Sequence, residues 1–486
     1  MFNRLIFSSF LIILFLISCD NKSSHQLNSY KAIVIGKITN DTSYSIINLS
    51  SYLGEIAGDT KKYPDKNGEF TFILRLPSEF EFNIAYNEMF ATLLINPGDS
   101  IFIKINPKDS SSFSFSGTNS KMHNEIYNLD RNFSKTNIPY SELIQRYKKD
   151  TPEDYLKFKT SLYNDNLRKL NDFLDETECS TKVKNFYRSK YLVNYCSDLL
   201  IYLNMASIYQ GIVQTRTGIP EIFLNTIDSL YRECMDDFHL RDYHNFIASY
   251  SQLFNFENYD SIIFALKNKD KLLVSRLQLD YVRNNITGFQ KDYLLVWHLK
   301  SLIENGYITE EIIKEYYDDI SMNYFQSFLN KRYYEYKQVL NLEADLNHIH
   351  LADISNSDTI SLFDEIRRKH PGKILYVDIW GTWCGSCISK FAYLPELRKV
   401  LDKDNIEFLF LAIYSPKDQW EKVIKYHKPE GYHYLLNKKQ TTELYNRVDV
   451  SGIPHYFIIN KKGKIEIQDA KGPDDPQLKR QIVSIK

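Results

Sequence analysis

The feature that most constrains this chain lies near its C-terminal end. There Val377-Asp378-Ile379-Trp380-Gly381-Thr382-Trp383 runs directly into Cys384-Gly385-Ser386-Cys387. The apolar run 374–380 reads as a strand buried on both faces, and residues 388–401 read as helical. A strand that delivers two cysteines to the opening of a helix leaves few options. Spacing of i and i+3 across a first helical turn brings both sulfurs within bonding range. The free N–H groups and partial positive charge at a helix start favour thiolate over thiol. Cys384 is therefore expected to be the attacking sulfur, and Cys387, further inside, to resolve a mixed disulfide. Around this point strands and helices alternate. Residues 407–414 read as a strand, 417–427 as a helix, 432–436 as a strand and 442–447 as a short helix. Strands follow at 455–459 and 464–467, around the turn Asn460-Lys461-Lys462-Gly463, with a last helix over 477–485. Such alternation argues for a sheet with covering helices.

Whether the pair is a redox couple or a staple depends on the compartment. Residues 1–4 carry one positive charge, and residues 5–17 form an apolar run broken only by Ser8 and Ser9. That run is shorter than the roughly 20 residues a spanning helix needs, and it suits the core of a signal peptide. We expect a signal peptide over 1–18 and a polar tether over 19–29. Leu16-Ile17-Ser18-Cys19 resembles the bacterial lipobox, which implies acylation of Cys19; the alternative is an ordinary secretory signal with an incidental cysteine. Two or three acyl chains would hold the protein stably on a membrane. Six cysteines in 486 residues are too few for a disulfide-built scaffold. In an oxidising compartment the lone CxxC reads as a redox couple. Cys179, Cys196 and Cys234 fall in helix-like sequence and read as buried inert thiols, with a Cys179–Cys196 disulfide as the alternative. A zinc site needs a second ligand pair, which His348 and His350 do not supply, so neither metal nor cofactor is expected.

The run Asp-x-Trp-x-x-Trp-Cys-Gly-x-Cys at 378–387, followed later by Gly452-Ile453-Pro454, an apolar strand and Asn460 to Ile465, resembles thioredoxin. The fit is close to the TlpA-like branch of exported thiol–disulfide oxidoreductases. The resemblance covers residues 346–486 and implies a thioredoxin fold there. It implies a cis Pro454 facing the two sulfurs and shaping a groove for a substrate peptide, with Trp383 and Ile453 beside it. It also implies that Asp378 shuttles a proton to or from Cys387; the alternative is a structural aspartate. Ser386 stands where thioredoxin has proline, and this dipeptide tunes thiolate stability. Lys390 and Ala392 stand where many TlpA-like proteins have Glu and Pro. Lys390 would favour a thiolate if turned inward, and otherwise lies solvated on the helix's outer face. The strand 407–414 lacks the lysine that partners the acid in thioredoxin.

The rest of the chain is too long for one further core. Residues 30–118 read as strands, with an Asn67-Gly68 turn and a hairpin pairing 90–95 with 101–105 across Asn96-Pro97-Gly98-Asp99. This layout resembles the β domain found ahead of TlpA-like thioredoxin domains. Residues 119–345 read as helical. Thr151-Pro152-Glu153-Asp154 is an N-cap with Pro at the first helical position and acids in the first turn. The expected fold is thus multidomain: an antiparallel, sandwich-like β domain at 30–118, an all-α region at 119–345 and an α/β thioredoxin fold at 346–486. A net charge of −1 from 60 basic and 61 acidic residues gives no support to nucleic-acid binding.

The function expected is an envelope thiol–disulfide oxidoreductase acting through Cys384 and Cys387 as a reductant, anchored by lipid and facing the periplasm or on the outer membrane. Its partners would be protein thiols and disulfides and a membrane thiol donor or oxidant. The alternative is a binding or assembly lipoprotein in which the thioredoxin domain is a docking module.

Overall fold

The computed structural model describes residues 31–41, 45–58, 60–109, 112–133, 138–211, 219–234, 239–251, 258, 260–262, 264, 271–341, 348–356, 359, 361–401, 406–475 and 477–485. The signal peptide, Cys19 and the tether expected over 1–29 lie outside the described residues. Contacts group the chain into two units, one up to Val274 and one from Ser275 onward.

In the first unit, period-two burial builds the sheets. Its strands are β1 (Lys31–Ile38), β2 (Ile47–Ser50), β3 (Lys61–Lys62), β4 (Glu69–Arg75), β5 (Phe80–Tyr86), β6 (Met89–Ile95), β7 (Ser100–Ile105) and β8 (Phe113–Gly117). They form two four-stranded sheets, ordered β4-β1-β7-β8 and β3-β2-β5-β6. Every second side chain of β1, β4 and β7 is buried, so one face of that sheet meets the core. The pairings are antiparallel except β1 with β7, which is parallel. The hairpin expected between 90–95 and 101–105 does not form. β6 pairs with β5, and β7 pairs with β1 and β8. The intervening turn is pinned to β1 instead: Gly98 N–H donates to the Lys31 carbonyl at 2.7 Å, and Ile33 N–H to that of Asp99 at 2.9 Å. That pinning carries the chain from one sheet to the other.

The helices of this unit are α1 (Ser120–Asn132), α2 (Tyr140–Lys149), α3 (Pro152–Glu176), α4 (Thr181–Gln210), α5 (Glu221–Cys234) and α6 (Tyr243–Ser251). They explain why β5 and β6 are buried on both faces. His123 of α1 places Nε2 at 2.9 Å from the Leu94 carbonyl oxygen. Glu81 of β5, fully buried, accepts from Lys190 Nζ of α4 at 2.7 Å and from Arg241 N–H at 3.0 Å. A buried carboxylate is tolerated only with such partners. Cys196 is buried on α4 and Cys179 is half-buried just ahead of it, and the two are not bridged to each other. Thr151 caps α3 as the sequence indicates, its side chain accepting from Asp154 N–H at 3.2 Å, with Pro152 opening the helix. Thr151→Ala is expected to cost about 1 kcal/mol, read as a lower thermal midpoint that Thr151→Ser does not show.

The second unit opens with α7 (Lys271–Asn285), which spans the division, then α8 (Gly288–Glu304), α9 (Glu310–Tyr317) and α10 (Asn323–Asn341). A six-stranded sheet follows, built from β9 (Ile349–Asp353), β10 (Ile374–Trp380), β11 (Ile406–Ala412), β12 (Gly431–Leu435), β13 (His455–Ile459) and β14 (Ile465–Ile467), in the order β14-β13-β10-β11-β12-β9. β10, β11, β12 and β9 run parallel, and β13 and β14 are antiparallel to their neighbours. Central β10 is buried at every position. Its alternation divides two cores: Tyr376 and Trp380 on one side with Phe408, Phe410 and Tyr456, and Leu375, Val377 and Ile379 on the other with Leu409 and Phe457. The covering helices are α11 (Leu362–Lys369), α12 (Gly385–Lys390), α13 (Leu394–Val400), α14 (Lys417–His427), α15 (Lys438–Arg447) and α16 (Leu478–Val483). The helix expected over 388–401 is interrupted: a 3₁₀ turn at Phe391–Tyr393 separates α12 from α13, where Pro395 falls in the first turn. Helices α8 and α10 pack on α14, with His427 Nε2 at 3.0 Å from the Glu304 carbonyl and the Tyr336 and Tyr426 rings 5.6 Å apart. Among the described residues no helix is long and apolar enough to cross a membrane.

Candidate active site

The site begins where β10 ends. Ile413 N–H donates to the Trp380 carbonyl at 2.9 Å, tying the loop after β11 to the loop that leads to the cysteines. Thr382 N–H donates to Ser415 Oγ at 3.0 Å, and Ser415 Oγ in turn donates to the Ile413 carbonyl at 3.0 Å. Trp383 Nε1 reaches the same carbonyl at 3.4 Å. A methyl group at Gly381 would lie 2.6 Å from Trp383 Nε1, so glycine is what lets the indole fold back over its own loop. The residues 413–415 were not singled out in the sequence, where residues up to 414 read as strand. β11 ends at Ala412, and Ile413 to Ser415 form the clamp.

This clamp presents the cysteines. Cys384 is the N-cap of α12, and its Sγ accepts from Cys387 N–H at 3.2 Å while Ser386 Oγ lies 3.4 Å away. The two cysteines are joined as a disulfide, with their Cα atoms 5.3 Å apart. Cys384 is 6% exposed and Cys387 is fully buried. Cys384 is thus less open than a place at the helix start suggests, yet it is the member of the pair that solvent reaches.

The residues expected to accompany the pair converge on it through the sheet register. The Ile453–Pro454 bond is cis. β13 starts at the next residue, pairing His455 with Ile379 and Tyr456 with Asp378, which sets Pro454 level with Trp380, where the cysteine loop departs. Ile453 packs against both cores, Pro454 is half-buried, and Trp383 is 42% exposed. Asp378 lies between Tyr376 and Trp380 on the face of β10 whose core includes Cys384 and Cys387. It is 2% exposed, its Oδ1 has no hydrogen-bond partner, and burial pushes its carboxyl well above the usual range. No basic side chain offsets that burial, in keeping with the lysine missing from β11. Lys390 takes neither of the places weighed from the sequence: its ammonium pairs with Asp474, and both side chains are part-buried.

His350 stands within β9, a strand not among those read from the sequence, and stacks on Tyr432 with ring centroids 4.5 Å apart. Among the described residues, no group of three or more His, Cys, Asp or Glu could hold a metal ion.

Comparison with known proteins bears on the same stretch. Residues 372–465 match the family described as thioredoxin-like. The ResA thiol–disulfide oxidoreductases of Geobacillus thermodenitrificans and Geobacillus kaustophilus are 27% and 26% identical over 115 residues. Each match takes in 24% of this chain and 64% of the relative, so the chain spans somewhat under two thirds of those proteins. The solved thioredoxin domain of a thiol–disulfide oxidoreductase from Bacteroides vulgatus is similar at 20% identity, with a TM-score of 0.22, over 24% of this chain and 84% of that one. With the sheet, the cysteine pair and the cis proline in place, the C-terminal part of this chain is a thioredoxin-like domain.

Proposed function

We propose that the protein is an envelope thiol–disulfide oxidoreductase working as a reductant. One observation carries this reading: a disulfide at a helix start whose Cys384 meets solvent while Cys387 is sealed. Only one sulfur can then open an exchange. In the reduced pair, Cys384 thiolate attacks a sulfur of a partner's disulfide. A Cys384–partner bond forms, the partner's own bond breaks, and its second sulfur leaves and takes up a proton. Cys387 gives its proton to the ionised form of Asp378, which burial makes a stronger base than an ordinary carboxylate, and attacks Cys384; the partner's first sulfur leaves and takes up a proton. Two electrons have passed to the partner, and the pair is left as a disulfide. Trp383, Ile453 and Pro454 would line the path of the partner's backbone. A membrane thiol donor, acting through the same steps in reverse, would restore the dithiol.

Anchoring through Cys19 rests on the leader sequence and would hold the protein at the membrane that supplies its electrons. The direction rests on the donors around Cys384. Strong oxidants owe their potential to a highly stabilised reduced thiolate. Here Cys384 Sγ has the Cys387 N–H and the Ser386 hydroxyl, while Lys390 is held by Asp474. Equilibration of the full chain with glutathione buffers, read by alkylation of the free thiols, is expected to place the couple between about −270 and −180 mV. A value near −120 mV would make it an oxidant and overturn the direction.

A further inference from the structure

Five non-glycine residues have positive φ among the described residues: Asn40, Asn87, Asn119, Lys428 and Tyr414. Asparagine tolerates this region, and Lys428 is the C-cap of α14. Tyr414, at φ 48°, is the aromatic exception. A bulky side chain there is costly unless its surroundings enforce it. The enforcement is visible. Ile413 and Ser415, its two neighbours, are the residues that clamp the cysteine loop through Trp380, Thr382 and Trp383. Held from both sides, Tyr414 is turned outward and is 58% exposed. Tyr445 of α15, 40% exposed, stands near enough for its phenol to be held above its ordinary range first by burial and then by Tyr414. Trp383, exposed as well, joins Cys384 in sequence and bonds to the Ile413 carbonyl beside Tyr414.

We propose that Tyr414, backed by Tyr445, is a specificity-determining wall that receives an aromatic or large aliphatic side chain adjoining the cysteine of an extended polypeptide substrate. This rests on the oxidoreductase reading. The occupant follows from continuity with the sulfur site. A chain whose sulfur bonds to Cys384 must lay its adjoining residues across Trp383 and the loop 413–415 clamped to it. Aromatic faces reward an apolar or aromatic side chain there, and the phenol edges leave room for the peptide backbone to stay wet. The strained backbone is consistent with a position that serves recognition, because glycine or asparagine would meet the turn at lower cost.

Two synthetic peptides test this. Each carries one cysteine in a disulfide with a fluorescent leaving thiol, and they differ only in having Phe or Gly beside that cysteine. The full reduced chain is expected to react with the Phe peptide about two to twelve times faster, the range set by one aromatic pair. Tyr414→Gly is expected to bring the ratio close to one, and Tyr414→Asn, which also suits this backbone, to do the same. Tyr414→Phe should keep the preference. A preference that survives in both Gly and Asn variants, or a wild-type chain that treats the peptides alike, overturns the wall. A wild-type chain that exchanges with neither peptide overturns the oxidoreductase reading, and the wall with it.

Discussion

Cys384→Ser is expected to lower the rate of exchange with a peptide disulfide by on the order of 10³-fold or more, whereas Cys387→Ser should complete the first step and stop there. The asymmetry follows from burial. With 6% exposure Cys384 can be reached by a partner sulfur, and with none Cys387 can reach only Cys384, three residues away at the opening of α12. A serine at 384 leaves the pair without an accessible thiolate, and burial holds half-buried Cys179 as the thiol by raising its pKa. A serine at 387 leaves a mixed disulfide that nothing inside the protein can resolve, so it accumulates with bound peptide in equal amount. The measurement is intact mass after mixing each variant, reduced, with excess peptide disulfide. A stable adduct on the Cys387→Ser chain and none on Cys384→Ser is the expected pair of results. If both variants form the adduct equally, the assignment of the attacking sulfur fails. If partner proteins are retained by the Cys384→Ser chain as well as by the wild type, the redox pair is not what holds them, and the docking-module reading gains.

How far these expectations could be read from the residues depends on the range of the interaction. The strand into the CxxC was legible because its evidence is contiguous: an apolar run, two cysteines at helical spacing and a helix start. The Thr151 cap was legible for the same reason, since it and its partner Asp154 are three residues apart. The proline facing the site was legible only through the resemblance, because nothing local marks Pro454 as cis. Partner choice between strands was not legible. Residues 90–105 have every local mark of a hairpin, yet β6 and β7 belong to different sheets, because the turn bonds to Lys31, far back in the chain. β9 was missed because an edge strand with one firmly buried side chain, Ile349, carries no apolar run. The clamp at 413–415 and the left-handed Tyr414 depend on hydrogen bonds to residues some thirty positions earlier, which no window of sequence displays.

Asp378 sets the second large effect, through linkage between ionisation and folding. Burial raises its carboxyl well above the ordinary range, with Oδ1 unpartnered and no basic side chain to offset the cost. The native state therefore holds this proton to higher pH than the unfolded chain does. The stabilisation associated with the neutral acid is fully present below the unfolded value, near about pH 4, and is lost as pH rises toward the folded value. An amide in its place would have nothing to ionise. Asp378→Asn is thus expected to match the wild type near pH 4 and to become progressively the more stable chain above it, by roughly 1 kcal/mol for each pH unit until Asp378 itself ionises. Thermal midpoints of the oxidised protein across that range would show the two curves diverging. Curves that stay parallel would mean the carboxylate is solvated or paired in the folded protein. Exchange should move the other way. Asparagine also lacks the ionised form that takes the proton from Cys387, so resolution of the mixed disulfide is expected to slow by roughly 10²-fold, in the range of lost general-base catalysis. The attack by Cys384 should hold its rate, because that step draws on the Cys387 N–H and the Ser386 hydroxyl and not on the buried acid. A variant that gains stability at high pH but resolves at the wild-type rate would leave Asp378 as a costly structural residue and remove the relay. A variant that both gains stability and loses resolution would mean that the unpaired acid is kept for chemistry at the expense of the fold.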